Sequence, residues 1–245
     1  MPNSPRSGWH RNGLYGKDRT SWSTFSAPTF ARNMFGNFSH FDGPQSYVST
    51  TEMNGFTTTV DGAGTIQLLD RVGGWFQLLA GAGDTNGVNL QQEHECFLPA
   101  ANRDIHFGCR IELDESTQSF FFAGLAITDT DIDQGSFPAD IVGFVKNDGD
   151  QNLDFICQST VSGAIAQIDT GTDVADNTAI ELGFTIHGIT DVHTWINGAE
   201  DTTTYMNTVA NIPITEMAMA LSYRTGDNFA YSLKVDWYKI VQTYL

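Results

Sequence analysis

The amino-acid sequence predicts an all-β fold: a two-sheet antiparallel jelly-roll sandwich preceded by an extended N-terminal arm. Three observations predict it. Ile105, Phe107, Cys109, Ile111 and Leu113 are apolar, while His106, Gly108, Arg110 and Glu112 lie between them. This is the period-two alternation of a strand with one buried face. Secondly, roughly a dozen or more short strand-like runs recur along the chain with turn signals between them, the spacing of a sandwich or barrel. Thirdly, 40% of the 245 residues are apolar, Gly, Thr, Phe, Asp and Asn are plentiful, and long Leu/Ala/Glu/Lys blocks are missing. That composition suits a globular β protein with one sizeable core.

The elements follow in order. In residues 1–41, Gly, Ser, Pro and Asn break any helix or strand period. Yet Trp9, Leu14, Tyr15, Trp22, Phe25, Phe30, Met34, Phe35, Phe38 and Phe41 fall in this stretch, and free linkers are depleted in aromatics. It therefore reads as an arm whose spaced anchors dock on its own body or on a neighbouring subunit. Arg6, Arg11, Lys17, Arg19 and Arg32 against Asp18 alone give the arm a net charge of +4. With a total of −17, the remainder carries −21. A basic arm on a strongly acidic body argues for two jobs in one chain. The acidic body repels nucleic acid, so no nucleic-acid partner is expected.

Residues 42–245 read as the sandwich domain. Tyr47–Thr51, Phe56–Val60, Thr65–Leu69, Trp75–Leu79 and Val88–Gln91 are short strands separated by Gly- and Asp-rich turns. After the alternating strand Ile105–Leu113, DESTQS turns the chain into Phe120–Ile127. That near-continuous apolar run reads as a central strand buried on both faces. An acidic loop, TDTDIDQGSFPAD, precedes Ile141–Val145, and NDGDQN returns the chain into Leu153–Ser159. Ala164–Asp169, Ile180–His187 and Asp191–Ile196 follow, the last ending in Asn197-Gly198, the best two-residue hairpin signal present. Asp201–Met206, Met217–Arg224 and Tyr231–Tyr244 complete the set. The last alternates well, but Leu233, Val235 and Trp237 share their series with Lys239 and Val241, which demands a bulge or face switch.

At this point a family resemblance emerges. GGWFQLLAGAGDTNGVNLQ, IHFGCRIELDE, FFFAGLAITDTD, VGFVKNDGDQNLDF, ELGFTIHG, VHTWINGAE and LKVDWYKIVQ follow one another in this order. The series resembles tailed-phage capsid decoration (cement) proteins with a concanavalin/laminin-G-like jelly roll, from about Phe41 to the C-terminus. Its most specific pieces are Gly124-Leu125 before Thr128-Asp129-Thr130-Asp131, Gly143-Phe144 with Asp148-Gly149-Asp150, and Val235-Asp236-Trp237. None is a catalytic motif. The resemblance implies a structural virion protein on the capsid exterior, made in the bacterial cytoplasm, that ties major capsid subunits together, often as a homotrimer. Arg6, Trp9, Arg11, Tyr15, Arg19, Trp22, Phe25, Phe30, Arg32 and Phe35 would then form the capsid-binding arm, the aromatics as anchors and the arginines as rim contacts. No apolar run approaches the ~20 residues of a membrane span and no signal-peptide h-region opens the chain, so neither a membrane partner nor secretion is expected.

The alternative reading is a carbohydrate-binding or receptor-binding tail or fibre module, with Trp75, Trp195, Tyr205 and Tyr223 as candidate stacking residues. An aromatic platform on one exposed face would favour it. Catalysis is not expected. Glu112-Leu113-Asp114 opens the E-x-D-x-E strand signature of related glycosidases, but Ser116 stands where the third acid belongs. No cofactor is expected. Asp129, Asp131 and Asp133 have the opening spacing of a calcium loop, yet Gln134 replaces its required glycine, so they are weak metal candidates. Cys96, Cys109 and Cys157 lack metal spacing and read as buried free thiols, Cys96 with His94 near it as a remote nucleophile–base pair. His187 and His193 flank one turn as polar-face neighbours.

Overall fold

The computed structural model describes residues 38–42, 53, 55–72, 74–160 and 165–243. The arm residues Arg6, Trp9, Arg11, Tyr15, Arg19, Trp22, Phe25, Phe30, Arg32 and Phe35, and the expected strand Tyr47–Thr51, lie outside these. The described residues form fifteen strands: β1 (Phe38–Asp42), β2 (Phe56–Asp61), β3 (Gly64–Leu69), β4 (Trp75–Ala80), β5 (Gly87–Gln92), β6 (Asp104–Leu113), β7 (Ser119–Ala126), β8 (Ile141–Lys146), β9 (Asn152–Gln158), β10 (Ile165–Asp173), β11 (Ile180–His187), β12 (Asp191–Ile196), β13 (Ala199–Met206), β14 (Ala218–Thr225) and β15 (Ser232–Gln242). A 3-10 turn at Val209–Asn211 is the one helical element among the described residues. No described helix is long and apolar enough to cross a membrane.

Two antiparallel sheets pack face to face as a jelly roll. One has eight strands in the order β13-β12-β11-β6-β15-β4-β3, with β1 paired to β15; the other runs β10-β9-β8-β7-β14-β5-β2. β1 straddles the expected arm boundary and pairs with Trp237–Val241, the part of β15 that β4 leaves open. The alternation of β6 sends Ile105, Phe107, Cys109, Ile111 and Leu113 into the core between the sheets. They meet Phe121, Ala123 and Leu125 from β7 and Leu182, Phe184 and Ile186 from β11. Phe107 stacks on Phe184 at 4.8 Å, and Phe144 and Phe155 close the cluster from the other sheet. The face switch expected in β15 falls at Asp236, where the register with β6 slips. Leu233 and Val235 are inward before it, and Tyr238 and Ile240 after it.

β7 is buried on both faces, as its sequence predicts. Its other face carries Phe120, Phe122 and Ala126 into a second apolar cluster with Ile141, Val145, Ile156, Ala220 and Ile132. The cover is the acidic loop after β7, whose Ile132 and Phe137 are its apolar residues on this cluster. Polar groups of the sheet hold it down: Ser222 Oγ donates to Ile132 O at 2.7 Å and Asn89 Nδ2 to Asp129 O at 2.9 Å, while Gln91 Oε1 accepts from Asp129 N at 2.8 Å. Each aromatic so covered contributes about 1.5–3 kcal/mol. Phe122 reaches its place because Gly124 and Gly143 face each other across β7 and β8. A Cβ on Gly143 would sit 2.8 Å from Phe122 Cε2 and 2.5 Å from Ala123 O, and one on Gly124 would strike the Val142 carbonyl.

Two buried titratable side chains, Lys146 and His106, lie outside the core cluster. Lys146 is fully buried, donates to the carbonyls of Ser119 and, at 3.3 Å, Thr117, and has its pKa lowered by burial to about 8. His106, on the outer face of β6, is buried with Nδ1 3.0 Å from Thr185 Oγ1. Burial lowers its pKa to about 3, against a smaller opposing pull from Asp104.

Two predictions follow from these contacts. Gly143→Val should cost about 1–3 kcal/mol, read as a lower denaturant midpoint at unchanged slope; an unchanged midpoint would contradict the close approach of Phe122 and Ala123 O to Gly143. Below about pH 6.5 the unfolded chain takes up a proton at His106 that the native state refuses until about pH 3. Native stability should therefore fall, by up to about 1.4 kcal/mol per pH unit, as pH drops through that window. His106→Gln should flatten the fall between about pH 6.5 and 5, before carboxylates titrate; parallel wild-type and variant slopes would contradict it.

Candidate aromatic and histidine site

The outer face of the eight-stranded sheet, at its β11–β12–β13 end, concentrates exposed rings and titratable groups. The register explains why. His187 pairs with Asp191 and Thr185 with His193, closing a tight hairpin through Gly188, whose φ is +59°. On the other side of β11, His187 pairs with Asp104 and Thr185 with His106. Because successive side chains alternate, the residues that leave Ile186, Val192 and Ile196 in the core place Asp104, His187, Asp191, His193 and Trp195 on the outside. A break in register between β12 and β13 follows Val192, and β13 bends there around Asp201, which accepts from Thr203 N at 2.9 Å. Tyr205 thereby lies against His193.

The rings form a continuous strip. His193 lies 6.1 Å from Trp195 at an interplanar angle of 25°, 4.8 Å from Tyr205 at 63° and 5.2 Å from His187 at 83°. Tyr205 is 42% exposed and Trp195 is half-buried. Carboxylates border the strip. Glu200 Oε1 is 2.6 Å from His193 Nδ1, Asp191 Oδ1 is 3.7 Å from His193 Nε2, and Asp104 Oδ2 is 3.4 Å from His187 Nδ1. The hydrogen bond that His187 donates to Asp104 raises the His187 pKa against the opposing effect of burial. Burial pushes the Asp104 carboxyl up, but His187 outweighs it and holds the carboxyl below its ordinary range. Among the described residues, His187, Asp191 and His193 are the group whose possible ligand atoms converge, all within 4.8 Å of one another. The arrangement offers apolar ring faces beside carboxylate acceptors, and a mixed imidazole–carboxylate donor set.

Of the four aromatics singled out in the sequence, Trp195 and Tyr205 come together here. Tyr223 is buried in the core. Trp75 is buried beneath Arg71, whose Cζ lies 4.2 Å from its ring, and beside Arg110 at 5.5 Å. The pairing of His187 with His193 was visible as two residues flanking one turn. The spacing His-x3-Asp-x-His across a three-residue loop is the signal that would have added Asp191, while Glu200 comes from the register of the Asn197-Gly198 hairpin.

The other predicted groups lie elsewhere. Asp131 and Asp133 converge on Arg224, which also holds Asp61 Oδ2 at 2.9 Å and donates to Thr85 O at 2.8 Å. Asp61, Asp131 and Arg224 line a cleft of about 250 Å³ with Thr59, Asn89 and Ser222. The aspartates of the calcium-like spacing thus serve an arginine, and Asp129 contributes backbone groups to Asn89 and Gln91. Glu112 is bound by Arg71 at 3.1 Å and by Lys234 at 2.9 Å; Asp114 accepts from Ser232 Oγ at 2.6 Å and pairs with Lys234. Cys109 and Cys157 are buried free thiols, as expected, and Cys96 is half-buried, with burial and then Glu216 raising its pKa. That shift disfavours the thiolate a nucleophile needs.

No protein-family model matches the chain, and no curated protein sequence does. Solved structures do match in fold. A protein of unknown function from Shewanella oneidensis MR-1 aligns with TM-score 0.58 at 9% identity, over 84% of this chain and 86% of its own. The endo-1,3-beta-glucanase of Streptomyces sioyaensis aligns with TM-score 0.56 at 9% identity, over 85% and 97%. The carbohydrate recognition domain of Emp47p aligns with TM-score 0.53 at 10% identity, over 83% and 94%. The glucanase corrects the expectation that this chain is not an enzyme. Interruption of E-x-D-x-E at Ser116 tests one motif only, and the fold is shared with enzymes whatever that motif does. At these identities the likeness establishes the fold, a lectin-like, concanavalin-like jelly roll, and nothing finer.

Proposed function

We propose that the protein recognises carbohydrate through the outer face of β11–β13. The observation that carries this reading is the strip of His193, Trp195 and exposed Tyr205 bordered by Asp191 and Glu200. A sugar ring has apolar C–H faces and a rim of hydroxyls. Aromatic faces take the first, and carboxylates accept hydrogen bonds from the second. The likeness to a domain named for carbohydrate recognition supports the same reading.

A second reading, attachment to a virus capsid, is favoured by a different observation: the +4, aromatic-rich arm in a chain whose remainder carries −21. It would use residues 1–41 and leave the ring strip free, so the two are separable. Co-sedimentation with capsids stripped of decoration protein, with and without residues 1–41, tests it: saturable binding lost on truncation supports it, and absence of binding by the full chain refutes it.

Screening the full-length protein on an immobilised glycan panel, followed by calorimetric titration of the best binder, tests the carbohydrate reading. Trp195→Ala and Tyr205→Ala should each weaken binding about tenfold or more, the equivalent of about 1.4 kcal/mol at a central aromatic contact. Asn89→Ala, in the cleft beside Arg224, should leave it unchanged. Product analysis after incubation would reveal whether the bound glycan is also cleaved. No binding across the panel, or full affinity in both aromatic variants, would overturn the proposal.

A further inference from the structure

We infer that His187, Asp191 and His193 form a binding site for one divalent cation of the zinc class. The inference shares His193, Asp191 and Glu200 with the face assigned to carbohydrate but does not rest on that reading, and zinc titration without glycan tests it alone. Three observations carry it. The donor set is two imidazoles and a carboxylate, with potential ligand atoms within 4.8 Å of one another. Such a set suits zinc and its late first-row neighbours, whereas calcium and magnesium take oxygen ligands. Next, both histidines are backed by a carboxylate on Nδ1: Glu200 at 2.6 Å on His193 and Asp104 at 3.4 Å on His187. Carboxylates in that position fix the tautomer and orientation of a ligating ring. Finally, Asp191 Oδ1 is buried and accepts no hydrogen bond, although it lies 3.7 Å from His193 Nε2. A buried carboxylate oxygen without a donor is costly, and a cation between it and the imidazole would satisfy it.

The geometry is close to what an ion requires. Tetrahedral coordination with bonds of about 2.1 Å places ligand atoms about 3.4 Å apart. Asp191 Oδ1 and His193 Nε2 are already at 3.7 Å. The remaining closure is on the order of 1 Å, within reach of side-chain rotation at the mouth of a hairpin. The hairpin itself is well fixed, since Thr190 N and Oγ1 both donate to His187 O, at 3.0 and 2.8 Å. Three protein ligands leave a fourth position for water or a ligand oxygen.

The test is isothermal titration of zinc chloride into the full-length chain after chelator treatment, with calcium chloride as control. One zinc ion per chain should bind with micromolar affinity or better, and calcium should not compete. Cobalt(II) in place of zinc should give the intense visible absorption of a tetrahedral site. His187→Ala, His193→Ala and Asp191→Asn should each lose tenfold or more in affinity. Asp191→Asn nearly preserves volume and reports on the site even where an alanine variant misfolds. Glu200→Gln should weaken binding about 10- to 100-fold by loosening His193, and His94→Ala, on a distant segment, should have no effect. No zinc binding at millimolar concentration, or wild-type affinity in all three ligand variants, would overturn the inference. So would loss of binding in His94→Ala alone.

Discussion

The pairing register of β6, β11 and β12 is the constraint on which the rest depends. Side chains in a strand alternate, so a slip of one residue would exchange the two faces. Ile105, Phe107 and Cys109 on β6, Leu182, Phe184 and Ile186 on β11, and Val192 and Ile196 on β12 can reach the core in only one register. Burial of those apolar groups therefore decides where Asp104, His187, Asp191, His193 and Trp195 stand. The site is a consequence of the core: five residues of three strands meet outside because their neighbours must meet inside.

The second sheet solves a different problem. β7 is apolar on both faces, and one face alone can pack against the other sheet. The loop after it supplies the missing cover with Ile132 and Phe137. Its acids are tolerated there because Arg224 takes Asp131 and Asp133, with Asp61 added from β2. An acidic loop that reads as a calcium-like motif is thus a lid on a hydrophobic cluster, pinned by an arginine. The eight-stranded sheet keeps its outer face exposed at β11–β13, which is why recognition is assigned to that face.

Much of this architecture is legible in the sequence because alternation and turn chemistry are local. The strands of β6, β7, β11, β12 and β15 were readable from period, and so were the Asn197-Gly198 turn and the misfit that becomes the bulge at Asp236. The sequence marks β10 only as far as Asp169, because the strand resumes beyond a register shift there, which no period announces. The site was legible in part. Trp195 and Tyr205 stood out as aromatics, and His187 and His193 as residues flanking a turn. Asp104 is not readable, since it reaches His187 through non-local strand pairing; Glu200 is implicit in the Asn197-Gly198 hairpin, which sets it opposite Trp195 beside His193. Nor does spacing reveal that Glu112 and Asp114 are bound by Lys234, because that depends on which strand lies alongside.

The most direct test of this account is amide and indole chemical-shift mapping of the isotopically labelled protein during titration with a glycan that it binds. Perturbations should concentrate at His187, His193, the Trp195 indole and Tyr205, with the residues around Arg224 and Asn89 silent. Perturbations confined to the Arg224 cleft would contradict it and move recognition to the other sheet.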